Sequence, residues 1–209
     1  MQMSKQAENE ILNHIKNSIE RNLNSIIKGS EKILSELGHP DSCLLCELEE
    51  LNKKFQLIQS SASTFYLQVY LSAYTESFHE LASAMQNLSQ KRHGGLIIVE
   101  RSEPAAPYIR NGIQVQADLS ASLAESIFYP GNPLHDGAML IKGDKIVSAA
   151  NILPVSDISS GRSKLGTRHR AAIGLTEKTD AIVLIVSEET GKMSFAKEGS
   201  IYPISTNNL

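Results

Sequence analysis

The chain is short of the residues that build metal clusters and disulfide frameworks. It contains no tryptophan and only two cysteines, Cys43 and Cys46, among 209 residues. Because neither a second pair of cysteines nor a histidine cluster accompanies them, they lack the ligands of a zinc site. The leucines around them follow a helical pattern. We therefore expect free cysteines, buried in a helix, in a reducing cytoplasmic environment.

Long apolar runs are also missing. The longest, Leu96–Val99 and Ala181–Val186, are much shorter than the roughly 20 apolar residues of a membrane-spanning helix. The start of the chain is polar and contains no signal-peptide core. We therefore expect a soluble protein with no membrane partner.

An excess of positive charge is the third absence. The chain has 20 Lys and Arg residues against 23 Asp and Glu residues, a net charge of −3, and 41% of its residues are hydrophobic. Proteins that bind nucleic-acid polymers usually carry a basic face, since contacts to phosphates supply much of the affinity. We expect no nucleic-acid polymer as a partner, whereas a small anionic ligand needs only a few local cations.

Glycine and proline are scarce up to residue 92, and this part of the chain is helical in pattern. Apolar residues recur every three or four positions over residues 11–37 and 44–58, as on one face of a helix. Residues 38–41 contain Gly and Pro and predict the end of the first helix. The serine-rich residues 59–63 predict a hinge. An aromatic stripe over residues 66–88 predicts a third helix whose stripe packs into a core.

The chain beyond residue 92 alternates short β-branched runs with turn residues. The predicted strands are 96–100, 113–117, 138–141, 145–151, 181–187 and 192–196, and the predicted helices are 121–128 and 167–177. This order predicts an α/β fold, a mixed β-sheet flanked by helices and preceded by an N-terminal α-helical hairpin. We expect two domains, the hairpin over residues 1–60 and the α/β domain over residues 61–205.

The first segment with candidate functional residues is His135-Asp136-Gly137-Ala138, which leads into an apolar strand. Gly137 and Ala138 carry little side-chain bulk and allow a ligand to approach the backbone. Asp136 can accept a proton or bind a metal, and His135 can coordinate or donate. The alternative is an ordinary turn in which Asp136 bonds to its own backbone. The segment alone leaves both interpretations open.

The second segment is Gly166-Thr167-Arg168-His169-Arg170, at the start of a predicted helix. Thr167 is placed to cap this helix, whose first N–H groups favour anions. Basic side chains in the first turn have the wrong sign for helix stability, so a negative group should offset them. A polyphosphate or a neighbouring acidic side chain would serve. Each successive position of a helix turns by about 100°. Arg168 and Arg170 are two positions apart and so point to nearly opposite sides, and they cannot face the same phosphate.

The third segment, Ser187-Glu188-Glu189, follows the strand 181–187. Carboxylates beside a phosphate site suit a divalent cation, since Mg²⁺ prefers oxygen ligands and substrate phosphates. An acidic hairpin tip in water is the alternative. Together, an acid at a glycine turn, a basic helix start and a second acid are the parts of a phosphoryl-transfer site.

These segments resemble the DGA and RHR motifs and the acidic third segment of diadenylate cyclase domains. The likeness covers about residues 63–205 and includes all three motifs in order. It implies an enzyme that condenses two ATP molecules into cyclic di-AMP and releases two pyrophosphates. It also implies a homo-oligomer, in which two catalytic domains meet face to face and each supplies one ATP.

The resemblance assigns a role to each residue of the three motifs. Asp136 would assist deprotonation of the ribose 3′-hydroxyl, and Gly137 and Ala138 would line the ribose and phosphates. Arg168 and His169 complete the implied catalytic group. The implied substrate-binding residues are Leu153, beside the adenine, and Gly166, Thr167, Arg168, His169, Arg170, Ser187, Glu188 and Glu189. The implied ligands of Mn²⁺ or Mg²⁺ are His135, Asp136 and Glu189.

The front half is similar to that of the soluble cyclases of spore-forming bacteria, in which two N-terminal helices restrain the catalytic domain. We hypothesise that residues 1–60 stabilise an oligomer in which active faces are kept apart, and the expected homo-oligomer is a dimer of catalytic faces or a hexamer. Helices that only build the oligomer are the alternative. Two other functions compete with catalysis: a module that binds adenine nucleotides without chemistry, and a purely structural assembly protein.

Overall fold

The computed structural model describes residues 5–37, 43–156 and 166–204, with side chains from residue 16 onward. The helix end expected at residues 38–41 lies outside the described residues. The chain divides into two compact units, Met1–Phe65 and Tyr66–Leu209. In the described part of the chain, no helix has both the length and the apolarity required to cross a bilayer.

Two long helices make up the first unit and the beginning of the second. Helix α1 comprises Lys5–Glu36, and helix α2 comprises Leu44–Ser72. A glycine in mid-helix reduces helix stability by about 1 kcal/mol relative to alanine, yet α1 continues without interruption through Gly29. A Cβ atom at Gly29 would lie 2.6 Å from Cδ2 of Leu51. The glycine therefore allows the two helices of the hairpin to pack closely.

The predicted hinge at residues 59–63 is wrong, because α2 runs through it. The serine and threonine hydroxyls bond back to carbonyls of the same helix. Ser60 Oγ donates to Leu57 O at 3.1 Å, and Thr64 Oγ1 donates to Ser60 O at 2.9 Å. Such bonds satisfy the hydroxyls without breaking a helix. The interruption comes later, at residues 73–77, before helix α3 over Phe78–Lys91.

The prediction of free, buried cysteines is also wrong. Cys43 and Cys46 form a disulfide at the start of α2, and both residues are exposed. A spacing of three residues places both side chains on one helix face. The neighbouring Leu45 is 78% exposed, so the apolar pattern around the cysteines does not mark a covered face.

The second unit is built on one seven-stranded sheet with the order β2-β4-β3-β1-β5-β6-β7. Its strands are β1 (Gly95–Glu100), β2 (Ile113–Asp118), β3 (Ala138–Lys142), β4 (Lys145–Asn151), β5 (Ile182–Val186), β6 (Met193–Lys197) and β7 (Ser200–Ile204). Its other elements are a 3₁₀ turn (Ala106–Tyr108) and the helices α4 (Ala121–Ile127) and α5 (Thr167–Thr176). The predicted α/β class is confirmed.

Strand β7 is absent from the sequence prediction. It pairs with β6 after a tight turn in which Glu198 and Gly199 both have positive φ, 51° and 72°. Such a two-residue turn matches the twist of a hairpin and favours glycine. Pro203 lies within β7 and argues against a central strand, but an edge strand tolerates it.

The core has two layers because β1 and β5 are buried along their whole length. Alternate residues of a strand face opposite sides of the sheet. Ile97 and Val99 pack with α3 and α4 on one side. Leu96 and Ile98 pack with α5 on the other. Strands buried on both faces leave functional side chains only at their ends.

A carboxylate joins the β3–β4 turn to the start of α3. Asp144 Oδ1 accepts hydrogen bonds from Thr75 Oγ1 at 2.8 Å and from the backbone N–H groups of Glu76 and Ser77 at 2.9 Å. Burial acts to raise the pKa of Asp144, but these hydrogen bonds outweigh it and hold the pKa below its ordinary value. The carboxylate thus fixes the α2–α3 connection against the sheet.

Replacing Asp144 with alanine should lower the free energy of unfolding by about 1 kcal/mol at neutral pH, since the hydrogen bonds from Thr75, Glu76 and Ser77 to an exposed carboxylate are lost. The folded-state pKa is lowered, so the contribution is present above the ordinary carboxyl pKa and disappears as pH falls through the folded value. Urea unfolding at neutral and acidic pH measures both effects.

Asp118→Ala is the matched control for this variant. Asp118 is also an exposed aspartate, but its partner is a single surface lysine, Lys145, at 2.7 Å. We expect a change below about 0.5 kcal/mol. Equal losses in the two variants would contradict the role of Asp144 in holding the α2–α3 connection.

Candidate active site

The strand register brings the predicted segments to one edge of the sheet. Strands β1 and β3 are parallel, with Ile97 opposite Met139, so both strands begin at the same edge. Strand β5 is antiparallel to β1 and ends at this edge, where Val186 lies opposite Gly95. The turn before β3 and the segment after β5 therefore lie on either side of the start of β1.

The start of α5 reaches the same edge through an ion pair. Arg168 Nη1 lies 2.8 Å from Glu188 Oε2. A neighbouring acidic side chain therefore offsets the charge of Arg168, as one of the two alternatives in the sequence analysis had it. This acid, Glu188, belongs to the third predicted segment. The Arg168 side chain is 27% exposed and the Glu188 side chain 59%, so solvent screens the pair and both groups remain accessible to a ligand.

The turn before β3 fixes the tautomer of His135. The carbonyl oxygen of Asn132 lies 2.5 Å from His135 Nδ1 and also accepts the His135 backbone N–H at 3.1 Å. A carbonyl can only accept, so Nδ1 is the donor, and in the neutral ring Nε2 is the nitrogen with the lone pair. This is the arrangement of a metal-binding histidine whose ring is oriented by a carbonyl.

The carboxylate of Asp136 is exposed and makes no hydrogen bond to any residue that the structure describes. The ordinary-turn alternative, in which Asp136 bonds to its own backbone, is thus not what the structure shows. Gly137 follows with φ of +129°, and a Cβ atom there would lie 2.7 Å from the backbone carbon of Ala150. Only glycine fits this position without moving β4, and Ala138 behind it is fully buried.

Asn151, at the end of β4, supports this turn from behind, and sequence reasoning missed it. Its side chain is 2% exposed. Nδ2 donates to the carbonyl oxygen of Ala138 at 2.8 Å, and Oδ1 accepts from Ser148 Oγ at 3.1 Å. A Cβ atom at Gly112 would lie 2.0 Å from Oδ1, so that glycine makes room for the amide. The signal in the sequence that could have identified it is the polar amide of Asn151 at the end of the predicted strand 145–151.

The start of α5 differs in one detail from the prediction. Gly166, not Thr167, is the N-cap residue, and no side chain of the described residues caps the helix. Thr167 is the first helical residue, and its side chain is exposed. Because glycine has no side chain to offer, the first N–H groups of α5 remain available to an anion.

The two other basic residues of α5, His169 and Arg170, contact different parts of the protein. His169 is half-buried, with Nε2 3.5 Å from Ser194 Oγ. Burial lowers the pKa of His169, so the ring is neutral at pH 7 and acts through hydrogen bonds. Arg170 Nη2 donates to Ser156 O at 3.3 Å. Arg168 and Arg170 thus contact different partners.

Leu153 lies just beyond β4 and is 6% exposed, within the core cluster that contains Ala172 and Leu175 of α5. The next residues press against α5, since a Cβ atom at Gly174 would lie 2.4 Å from Pro154 O. Little of the Leu153 side chain is therefore open to a ligand, and its contact with adenine stays a prediction.

The third segment forms the turn between β5 and β6. Ser187 Oγ accepts the N–H of Thr190 at 3.3 Å, and Glu189 is exposed. In the portion of the chain that the structure describes, no three His, Cys, Asp or Glu side chains are grouped closely enough to hold a metal. The part of the chain that the structure describes thus shows no three-residue group of His135, Asp136 and Glu189, and the role of these residues as metal ligands stays a prediction.

Comparison with known proteins agrees with this arrangement. Residues 82–201 match the family model described as "DisA bacterial checkpoint controller nucleotide-binding", and residues 6–74 match "Diadenylate cyclase CdaS, N-terminal". The chain is 51% identical to the cyclic di-AMP synthase CdaS of Bacillus subtilis, over 92% of each protein. The chain belongs to the diadenylate cyclase family. The diadenylate cyclase of Listeria monocytogenes is 46% identical over 58% of this chain and 45% of that protein.

Solved structures of similar proteins extend the likeness to this diadenylate cyclase fold. A crystal structure from Bacillus cereus, described as a hypothetical membrane spanning protein, has a TM-score of 0.78 and 45% identity. The match covers 97% of this chain and 100% of that one. A double mutant of DacA from Staphylococcus aureus has a TM-score of 0.59 and 42% identity over 62% of this chain and 87% of its own.

Asn151→Asp should damage both stability and diadenylate cyclase activity. The change preserves shape but places a carboxylate oxygen against the carbonyl of Ala138, so a buried hydrogen bond becomes a repulsion. We expect a loss of about 2 kcal/mol in the free energy of unfolding. We also expect slower turnover at a temperature where the variant is folded, because the Asp136–Gly137 turn shifts.

Ser148→Ala is the control, because it removes the other hydrogen bond of Asn151 and leaves the bond to Ala138. We expect a smaller loss, about 1 kcal/mol, and nearly unchanged turnover. Thermal denaturation and steady-state kinetics on both variants distinguish the two bonds. Wild-type turnover in Asn151→Asp would show that this amide does not position the turn.

Proposed function

We propose that the chain condenses two ATP molecules into cyclic di-AMP and releases two pyrophosphates. The observation that carries this function is that two segments lie at the same edge of the sheet: the turn with Asp136 before β3, and Glu188 after β5, which pairs with Arg168. The high identity to a cyclic di-AMP synthase over nearly the whole chain supports the same reaction.

The chemistry consists of two identical displacements. The 3′-hydroxyl oxygen of one ATP attacks the α-phosphorus of the other, a P–O bond forms, and the bond to the pyrophosphate oxygen breaks. The proton of the hydroxyl passes to Asp136, whose exposed carboxylate is not engaged by any described neighbour. Repeating the step with the roles exchanged closes the ring. Positioning and charge stabilisation supply most of the catalysis in such reactions.

The triphosphate would bind at the start of α5. Arg168 provides a guanidinium whose planar N–H groups match phosphate oxygens. The uncapped N–H groups after Gly166 add donors. His169 is neutral and contributes a hydrogen bond rather than a charge. Arg170 does not reach the phosphates in this proposal, because it holds the segment at Ser156 against α5.

The side chains around the turn before β3 suit Mn²⁺ or Mg²⁺. His135 Nε2 has a free lone pair, and the adjacent Asp136 offers a carboxylate. Mg²⁺ commonly takes one or two carboxylates and completes its shell with substrate phosphates and water. His135 and Asp136 would hold the ion in this way, while Glu189 stays outside the pair. A bound cation would offset negative charge on the phosphates.

The symmetry of the product supports a site that a second copy of the chain completes. Each chain would contribute the acidic turn at Asp136 and the basic helix start at Arg168. Cyclic di-AMP contains two equivalent phosphodiester bonds, and two such sites that face each other across a two-fold axis would form both. We therefore propose a homodimer of catalytic units as the active form.

Incubation of the purified protein with ATP and either Mn²⁺ or Mg²⁺ should yield cyclic di-AMP and two equivalents of pyrophosphate, identified by mass. Because two chains complete one site, the rate per chain should rise with protein concentration until dimers saturate. Tight ATP binding without product would identify a nucleotide-binding module instead. A rate per chain that is independent of concentration, with monomers in solution, would exclude the dimeric site.

Asp136→Asn should abolish most product formation and leave ATP binding measured without a divalent cation nearly unchanged, because it removes the proton acceptor and the charged metal ligand but keeps the shape. We expect a decrease in kcat of about a hundredfold or more. Asp118→Asn is the control, since Asp118 pairs with Lys145 on the surface, outside the site. Calorimetric ATP binding and product assays test both variants, and retained activity in Asp136→Asn would reject the assigned role.

A further inference from the structure

Gly94 lies directly against the guanidinium of Arg168. It is the buried residue between α3 and β1, and its φ is outside the left-handed region. Backbone conformation therefore does not require glycine here. The available space requires glycine at this position, because a Cβ atom would lie 2.5 Å from Cζ of Arg168.

The contact is with the flat face of the guanidinium. The Cβ position is 2.5 Å from Cζ, 2.6 Å from Nη1 and 2.8 Å from Nη2. Three distances this similar place the point above the plane, since a point at the N–H edge would be closer to the nitrogens than to the carbon. The backbone at Gly94 thus covers one face and leaves the N–H edge open.

The edge is partly occupied by Glu188. Nη1 of Arg168 lies 2.8 Å from Glu188 Oε2. An arginine recognises anions through N–H groups that lie in its plane. The backbone of Gly94 lies on the face of the Arg168 guanidinium, and Glu188 lies at its Nη1 edge. Together they determine the direction in which the remaining N–H groups of Arg168 point.

We infer that Gly94 is a positioning residue of the cyclase, which holds the plane of Arg168 toward the triphosphate by offering no side chain. The inference rests on the proposed function, because it takes Arg168 as a phosphate ligand. Gly94 acts through Arg168 and makes no contact of its own with the reacting atoms.

The neighbouring glycine has a different surrounding and provides a matched control. A Cβ atom at Gly95 would lie 3.1 Å from Leu88 Cδ1 and 3.7 Å from Val186 Cβ. These are core contacts, and none of the three nearest atoms belongs to Arg168. Gly94→Ala and Gly95→Ala are therefore the same chemical change at adjacent positions with different neighbours.

The test measures the affinity of both variants for an ATP analogue whose α,β-bridging oxygen is replaced by methylene, by calorimetry with Mg²⁺ present. We expect Gly94→Ala to weaken binding about tenfold, the worth of a charged hydrogen bond lost through misalignment. The fold should persist, since the clash involves the end of a flexible side chain. Gly95→Ala should bind the analogue as the wild type does.

A double-mutant cycle determines whether the effect passes through Arg168. Lysine has no planar group to rest on residue 94, so Gly94→Ala should have little further effect in an Arg168→Lys background. The same tenfold loss in that background would overturn the inference. The inference would also be overturned if Gly94→Ala bound the analogue with wild-type affinity. It would be overturned as well if Gly94→Ala unfolded while Gly95→Ala stayed folded.

The outcomes separate this inference from the proposed function. If the wild type binds the analogue but makes no cyclic di-AMP from ATP, the cyclase function fails, and the cycle still decides whether Gly94 orients Arg168. If the wild type does not bind the analogue, both fail. If cyclic di-AMP forms and Gly94→Ala binds normally, only the role of Gly94 fails.

Discussion

The hydrogen-bonded position of β1 between β3 and β5 is the constraint on which the site depends. Parallel pairing with β3 places the starts of both strands at one edge, and antiparallel pairing with β5 places the end of β5 there too. If β5 ran in the opposite direction, Glu188 would lie at the far edge, away from Asp136. The strands involved are buried on both faces, so this register could not slip without exposing core side chains.

Behind the exposed groups lies a rigid support of small residues and one buried amide. Gly137 packs on the backbone of β4, Gly112 makes room for Asn151, and Asn151 holds the carbonyl of Ala138. None of these residues has a charge or a reactive atom exposed to a ligand. Their effect is geometric, because a catalytic side chain is useful only if the backbone beneath it does not move.

Charge in the site is balanced rather than strongly positive. Glu188 pairs with Arg168, burial keeps His169 neutral, and Arg170 is engaged at Ser156. An exposed ion pair contributes little to stability, so a triphosphate can replace or join Glu188 at small cost. This balance explains how three basic residues can begin a helix whose dipole disfavours them.

The sequence by itself determined the α/β class, most of the strands and the three segments proposed to carry the chemistry, because periodicity and motif residues are local properties. It failed in three places where a local pattern is compatible with more than one structure. The serines of 59–63 stayed helical, Cys43 met Cys46 on an exposed face, and β7 formed as an edge strand despite Pro203. Only the tertiary structure could show that Asn151 supports Ala138, or that Gly94 faces Arg168. Those contacts join residues that are far apart in the chain, and one sequence contains no record of which pairs the sheet brings together.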